Sequence, residues 1–162
     1  MSNTKRQIMD RKSILITGCS SGIGKCLARG LRDQGYRIFA TARQQIDVQE
    51  LAEAGYESLR LDLDSSDSIG SAVHEELHRT HNKLYALINN AAYGQPGAVE
   101  DLSREVLRAQ FETNLFGTHE LTNLVISAMR AQGEGRIIQI SSMLGIACLA
   151  YRGRLQSQQI RA

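Results

Sequence analysis

The chain has 162 residues, of which 42% are hydrophobic and 22% are charged, and its formal net charge is +2. These values predict one soluble domain with a real core; they exclude two domains, and the scattered basic residues argue against a nucleic-acid partner. Because no apolar run could span a membrane and residues 1–12 lack a signal-peptide core, we expect a cytoplasmic protein without a membrane partner.

The first predicted element is an apolar strand at residues 13–17, which leads into the run Thr17-Gly18-Cys19-Ser20-Ser21-Gly22-Ile23-Gly24 and then a helical segment. A strand, a glycine turn and a helix in this order place a phosphate on the amides of the helix N-terminus. Gly18 permits a sharp turn, Gly22 permits close approach to a ligand, and Gly24 permits close packing of helix and strand. A turn that uses glycine only for packing is the alternative.

Apolar runs and amphipathic stretches alternate along the rest of the chain. The apolar runs predict strands at residues 13–17, 36–41, 58–61, 84–89 and 136–141. The amphipathic stretches predict helices within residues 23–34, 47–54, 66–81 and 102–132, with helix stops at Gly35, Gly55 and residues 133–135. The continuous apolar runs in the fourth and fifth strands predict burial on both faces. The fold class is therefore α/β, a Rossmann-like doubly wound parallel sheet.

Polar residues follow the second, third and fourth predicted strands. Strand two ends without the carboxylate that binds a ribose 2′-hydroxyl, and Arg43 suits the 2′-phosphate of NADP instead; a solvated charge is the alternative. Asp62 could accept a hydrogen bond from an adenine amino group or cap the helix near Ser66. Residues 89–92, Asn-Asn-Ala-Ala, leave room for a ribose and tie strand ends together, or form an ordinary turn.

These motifs, with Asp62-Leu63 and the paired serines Ser141-Ser142, occur in an order and spacing that resemble the short-chain dehydrogenase/reductase family over about residues 11–153. The resemblance implies an oxidoreductase that moves a hydride between nicotinamide C4 and a carbonyl or alcohol carbon of a small molecule, with NADP favoured over NAD. It implies that Asn114 anchors a proton-relay water and that Ser142 orients the reacting oxygen. The candidate cofactor-binding residues are Gly18, Ser20, Ser21, Gly22, Ile23, Gly24, Arg43, Asp62, Leu63, Asn90 and Ala91.

The chain departs from the family pattern in two places. Ala92 replaces the usual glycine, which is tolerable if its backbone is not left-handed. The family's catalytic tyrosine and its lysine fall, at family spacing, on Leu155 and Gln159. A reading frame shifted by one nucleotide near Arg154 can restore Tyr-Ser-Arg-Ser-Lys there, a hypothesis that the codons of the gene test.

The expected organisation is an extension at residues 1–11, an NAD(P)-binding Rossmann domain at 12–150, truncated after the fifth strand, and an irregular tail outside the family pattern at 151–162. Weak or absent turnover is expected, and an NADP-binding module or an unstable fragment are the alternatives. The intact family forms homo-oligomers, but the state of this chain stays open because the usual dimer helices are only partly contained in it.

Two further patterns suggest other chemistry. His74-Glu75-Glu76-Leu77-His78 matches the zinc-protease pattern H-E-x-x-H, although a solvated outer helix that packs through Val73 and Leu77 explains it better. The three cysteines, Cys19, Cys26 and Cys148, have no metal-ligand spacing and are expected to be reduced thiols. Cys19 lies near a helix N-terminus, which can lower a thiol pKa, or simply fills a tight turn. No metal site is expected.

Overall fold

A computed structural model describes residues 11–143 of the chain. Within this range, five parallel strands form one sheet in the order β3-β2-β1-β4-β5. The strands are β1 (Ser13–Ile16), β2 (Arg37–Ala42), β3 (Glu57–Arg60), β4 (Ala86–Asn89) and β5 (Arg136–Gln139). The α-helices are α1 (Gly22–Asp33), α2 (Gln45–Glu53), α3 (Ser66–Arg79), α4 (Arg104–Phe111) and α5 (Thr118–Gln132). The predicted doubly wound α/β fold is confirmed.

Each face of the sheet has its own hydrophobic core, because successive side chains of a strand point to opposite faces. On one face, Leu15, Phe39 and Leu87 pack with residues of α3 and α5. On the other face, Ile14 and Ile16 belong to a cluster that includes residues of α1 and α2. The central strands are therefore buried on both sides and hold their carboxyl ends in fixed positions.

Glycines follow the ends of three helices at the predicted positions, and all three have the left-handed conformation. Gly35, Gly55 and Gly133 have φ angles of 91°, 82° and 79°. These angles are easy for glycine and costly for residues with a Cβ. No helix within residues 11–143 is both long and apolar enough to cross a bilayer.

The prediction that the fifth strand is buried on both faces is wrong. All four residues of β5 are exposed, and Ile137 and Ile138 keep 39% and 42% of their surface accessible. The strand pairs with β4 on one side and forms the edge of the described sheet on the other. The apolar residues of a run are enough to predict a strand. Whether that strand is buried also depends on which other elements cover it.

The long amphipathic stretch at 102–132 is interrupted in the structure. A 3₁₀ turn (Val99–Asp101) precedes α4, and a π-helical turn (Glu112–Gly117) separates α4 from α5. Gly117 lies against Leu63, since a Cβ at this position would meet the main-chain carbonyl of Leu63. The helix therefore approaches the loop after β3 closely, and the π turn lies next to the candidate site, where such turns are frequent.

Candidate functional site

A cleft of about 730 Å³ lies at the carboxyl ends of the strands. The chain runs from β1 outward to β3 and returns to β4 on the other side of β1, so the strand order reverses between β1 and β4. Doubly wound sheets bind their ligands at this reversal, and the volume suits a cofactor-sized molecule. The described lining residues are Gly18, Ser20, Ser21, Gly22, Ile23, Ala42, Arg43, Gln44, Asp47, Leu61, Asp62, Leu63, Asp64, Asn90, Ala91, Ala92, Tyr93 and Thr113.

The glycine loop forms the part of the cleft next to α1. Gly18 has a φ of +70°, and a Cβ there would lie 3.0 Å from the Cα of Ala91. Gly22 has a φ of +54° with open space beside it. Ser21 is the N-cap residue of α1, but among the described residues its side chain caps no helix amide, and the first turn of α1 has no acidic residue. The uncapped amides and the helix dipole favour an anion at this end of the cleft.

Gly24 is the one predicted cofactor-binding residue that does not line the cleft. It is buried behind the loop, and a Cβ at this position would meet the carbonyl oxygen of Gly18 and lie 2.6 Å from Nδ2 of Asn90. Gly24 allows α1 to pack closely against the strand ends, as the sequence predicted.

Thr17 and Asn90 join the ends of β1 and β4 beneath the cleft. The Oγ1 of Thr17 accepts hydrogen bonds from the main-chain N–H groups of Asn90 and Ala91, both at 2.9 Å. The Nδ2 of Asn90 donates to the carbonyl oxygens of Thr17 at 2.9 Å and Gly18 at 3.1 Å. This reciprocal set of hydrogen bonds fixes the glycine loop relative to the Asn-Asn-Ala-Ala turn.

We expect Thr17→Val to destabilise the protein by about 2 kcal/mol, because the partly buried amides of Asn90 and Ala91 lose their acceptor while side-chain size is preserved. Urea unfolding measures the change. Thr41→Val is the matched control: its hydroxyl donates to the Ile16 carbonyl, which also accepts from Cys19, so a smaller loss is expected. Equal losses in the two variants would contradict this role for Thr17.

The far end of the cleft carries the predicted adenosine-binding side chains. Arg43 is exposed after β2, and its main-chain carbonyl accepts a hydrogen bond from Nε of Arg60 at 3.2 Å. Asp62 and Leu63 line the cleft after β3. The alternative that Asp62 caps the next helix is wrong: Ser65 is the N-cap residue of α3, and Oδ1 of Asp62 accepts from the N–H of Asp64.

The two predicted catalytic residues do not line the cleft. Asn114 lies in the π turn, where its Oδ1 accepts from the N–H of Tyr93 and its Nδ2 donates to the Tyr93 carbonyl at 3.1 and 2.8 Å. Ser142 is exposed beyond β5. Leu155, Gln159, Cys148 and the proposed tail at 151–162 lie outside the described residues. The structure therefore leaves the roles of Asn114 and Ser142 as predictions.

The structure agrees with the expectations for Ala92 and Cys19, two residues in the loops of the cleft region. Ala92 is not among the described residues with positive φ, so its replacement of glycine causes no backbone strain. Cys19 is fully buried and its Sγ donates to the Ile16 carbonyl. Burial raises the pKa of the Cys19 thiol to about 12, which makes it unreactive at neutral pH. The cysteine fills a turn and is not a nucleophile.

The histidines of the H-E-x-x-H pattern lie on the outer surface of α3, whereas Glu76 within the pattern is fully buried. His74 and His78 are exposed with parallel rings, and Glu75 accepts a hydrogen bond from Nε of Arg79 at 2.6 Å. Val73 is buried and Leu77 packs against the core, as predicted. Within residues 11–143, no group of three or more His, Cys, Asp or Glu side chains could hold a metal ion.

Sequence reasoning missed several lining residues, although most of them adjoin predicted ones. Gln44, Asp47, Asp64 and Tyr93 follow the carboxyl ends of β2, β3 and β4 within a few residues. A rule that includes every residue just after a parallel strand would have found them. Thr113 comes from the distant π turn, and nothing local in the sequence places it at the cleft.

Comparisons with known proteins agree with this architecture. The family model described as short chain dehydrogenase matches residues 12–152. The Escherichia coli K12 protein called uncharacterized oxidoreductase YbbO is 41% identical over 143 residues, which are 88% of this chain and 53% of that protein. The 3-ketodihydrosphingosine reductase of Bacteroides thetaiotaomicron is 35% identical over 145 residues, which are 90% of this chain and 52% of the relative.

A solved structure of a related protein shares the fold of this chain. The F189W actinorhodin polyketide ketoreductase with NADPH superimposes with a TM-score of 0.85 at 32% identity, over 94% of this chain and 61% of that one. The chain spans about half the length of the curated relatives it matches. On the extent of the family match, the shared fold and these relatives, the chain belongs to the short-chain dehydrogenase family of oxidoreductases.

Proposed function

We propose that this chain binds NADP(H) in the cleft and belongs to a protein that reduces a carbonyl group or oxidises the corresponding alcohol. The observation that carries the proposal is the cleft itself, in which the glycine loop and Arg43 lie at one sheet edge with the loops after β3 and β4. The loop offers amides for a pyrophosphate, and the exposed guanidinium of Arg43 offers a partner for a 2′-phosphate.

The residues present fit a dinucleotide. Side chains at Gly18 and Gly22 would be strained by the positive φ angles, and a Cβ at Gly18 would also crowd Ala91, so the loop is shaped for backbone contact with a ligand. Asp62 and Leu63 suit the adenine, while Asn90 and Ala91 suit the adjoining ribose. When bound, the nicotinamide supplies or accepts the hydride of the reaction.

The chain's own residues account for binding and for part of the chemistry. We assign Ser142 the orientation of the reacting oxygen through its hydroxyl, and Asn114 a place in proton transfer through bound water. At Leu155 and Gln159 the chain has neither a phenol nor an ammonium group. We therefore expect binding of NADPH with little or no turnover, which makes an NADP-binding module the second candidate function.

The substrate class follows from the relatives' names only in broad terms. Two of them are called a 3-ketodihydrosphingosine reductase and a polyketide ketoreductase, and both names describe reduction of a ketone. We propose a ketone or the matching secondary alcohol as the substrate of the protein to which this chain corresponds. NADPH oxidation in the presence of a panel of ketones tests this, and turnover by the present chain would contradict the expectation of an incomplete active site.

We expect Arg43→Gln to weaken NADPH binding about tenfold and to leave NADH binding unchanged, because only NADPH carries the 2′-phosphate. Fluorescence titration of the purified chain with each nucleotide measures both constants. Arg29→Gln is the control, since Arg29 is an exposed arginine of α1 that does not line the cleft. Equal weakening of NADPH and NADH by Arg43→Gln would refute the assignment, and no NADPH binding by the parent chain would refute the proposed function.

A further inference from the structure

The loop between β4 and the 3₁₀ turn forms one wall of the cleft, and Ala91, Ala92 and Tyr93 line it. Residues 91–98 have no regular secondary structure. The main-chain polar groups of this loop therefore have no partners from a helix or sheet ladder, and side chains can bind them instead.

Two side-chain amides hold this loop at Tyr93. Asn114 binds both the N–H and the carbonyl of Tyr93, and Gln110 donates from Nε2 to the same carbonyl at 3.2 Å. Gln110 and Asn114 are four residues apart across the junction of α4 with the π turn, so they lie on one side of the helical segment. The carbonyl of Tyr93 thus receives hydrogen bonds from two residues of one helix face.

Gln110 is a polar residue at a buried position, where apolar residues are more common. It is fully buried, and among the described residues its Oε1 has no hydrogen-bond donor. A buried polar atom without a partner costs free energy, and an apolar side chain of similar size would avoid this cost. The only hydrogen bond found for the Gln110 side chain within residues 11–143 is the one that Nε2 gives to the Tyr93 carbonyl.

We propose that Gln110 is a positioning residue, which fixes Tyr93 and thereby the wall of the cleft formed by residues 91–93. The side chain does not line the cleft and acts through the Tyr93 carbonyl. The effect on nucleotide affinity rests on the proposed function, whereas the effect on the loop does not.

The test is Gln110→Met, which keeps the length of the side chain but removes both the donor and the unpartnered oxygen. Hydrogen exchange of the peptide covering residues 91–97, NADPH titration and thermal unfolding are measured on the full chain. We expect amide exchange in this loop to rise about fivefold and NADPH affinity to fall by about the same factor, while the melting temperature stays equal or rises. Gln110→Leu serves as a second variant should the methionine chain fold poorly.

Gln132→Met is the matched control, because Gln132 also donates to main-chain carbonyls, those of Leu84 and Glu134, and does not line the cleft. It should leave the loop and NADPH affinity unchanged. Unchanged exchange at residues 91–97 in Gln110→Met would overturn the inference, as would a lower melting temperature with faster exchange throughout the chain. If the parent chain does not bind NADPH, the proposed function fails, and loop exchange still decides the role of Gln110.

Discussion

Gly24→Ala is expected to destabilise the protein by about 3 kcal/mol and to weaken NADPH binding at the same time. The added Cβ would meet the carbonyl oxygen of Gly18 and lie 2.6 Å from Nδ2 of Asn90. Either α1 must move away from the strand ends or Asn90 must release the carbonyls of Thr17 and Gly18. Both changes displace the glycine loop, so stability and affinity should fall together.

Gly30→Ala is the matched control for this prediction. Gly30 lies in the same helix, and a Cβ there would have no atom within 4 Å. Alanine favours a helix over glycine, so the control should gain up to about 1 kcal/mol. Urea unfolding and NADPH titration of the two variants give the comparison. A Gly24→Ala chain as stable as the Gly30→Ala chain would show that the close packing of α1 is not required.

Glu76→Gln is expected to remove a large pH dependence of stability. Glu76 is fully buried in α3, and neither carboxyl oxygen has a hydrogen-bond partner among the described residues. Burial raises the pKa of this carboxyl from 4.5 to about 8. The nearby hydroxyls of Thr80 and Ser13 and the guanidinium of Arg37 oppose this effect, and the carboxylate of Glu57 reinforces it. The folded chain therefore keeps a proton on Glu76 at neutral pH that the unfolded chain has released.

The sign of the effect follows from this difference. Because the folded state binds the extra proton, Glu76 contributes most to the free energy of unfolding below pH 4.5. This contribution declines as the pH rises to about 8 and is constant above that. The free energy of unfolding falls by a total on the order of 3–5 kcal/mol over this pH range. Urea unfolding at a series of pH values from 5 to 9 should show this decline in the parent chain and a much flatter profile in Glu76→Gln.

Glu75→Gln is the control for the neighbouring position. Glu75 is hydrogen-bonded to Arg79 at the surface, which lowers the pKa of its carboxyl below 4.5, so its charge changes little between pH 5 and 9. In this variant the free energy of unfolding should change with pH as it does in the parent chain. If Glu76→Gln keeps the same slope as well, Glu76 is ionised in the folded protein and its burial has been compensated by another group.

Much of the fold was predictable because the signals are local and repeated. Apolar runs marked β1, β2 and β4, and glycines at Gly35 and Gly55 marked the helix ends. Most of the predicted cofactor-binding residues lie together at the cleft for a related reason: the loops after parallel strands always meet at one edge of the sheet.

What could not be predicted depends on contacts between distant segments. The exposure of Ile137 and Ile138 depends on which elements cover β5, and this is absent from their own spacing. The π turn and the burial of Gln110 depend on how α4 meets the loop at Tyr93. The burial of Glu76 was not predicted, because its charge favoured a solvated position, although it occupies the same helix face as Ile69 and Val73.

The order of the elements along the chain has a consequence for how the protein is made. Every described residue of the cleft lies between Gly18 and Thr113, whereas β5 begins only at Arg136. A ribosome therefore completes the described lining of the cleft before it makes the last strand of the described sheet, and nascent chains fold from the N-terminus. A ligand of the cleft adds its binding free energy to the stability of the folded part. Under the proposed function, in which the cleft binds NADP(H), the nucleotide concentration during synthesis is therefore expected to affect the yield of folded protein.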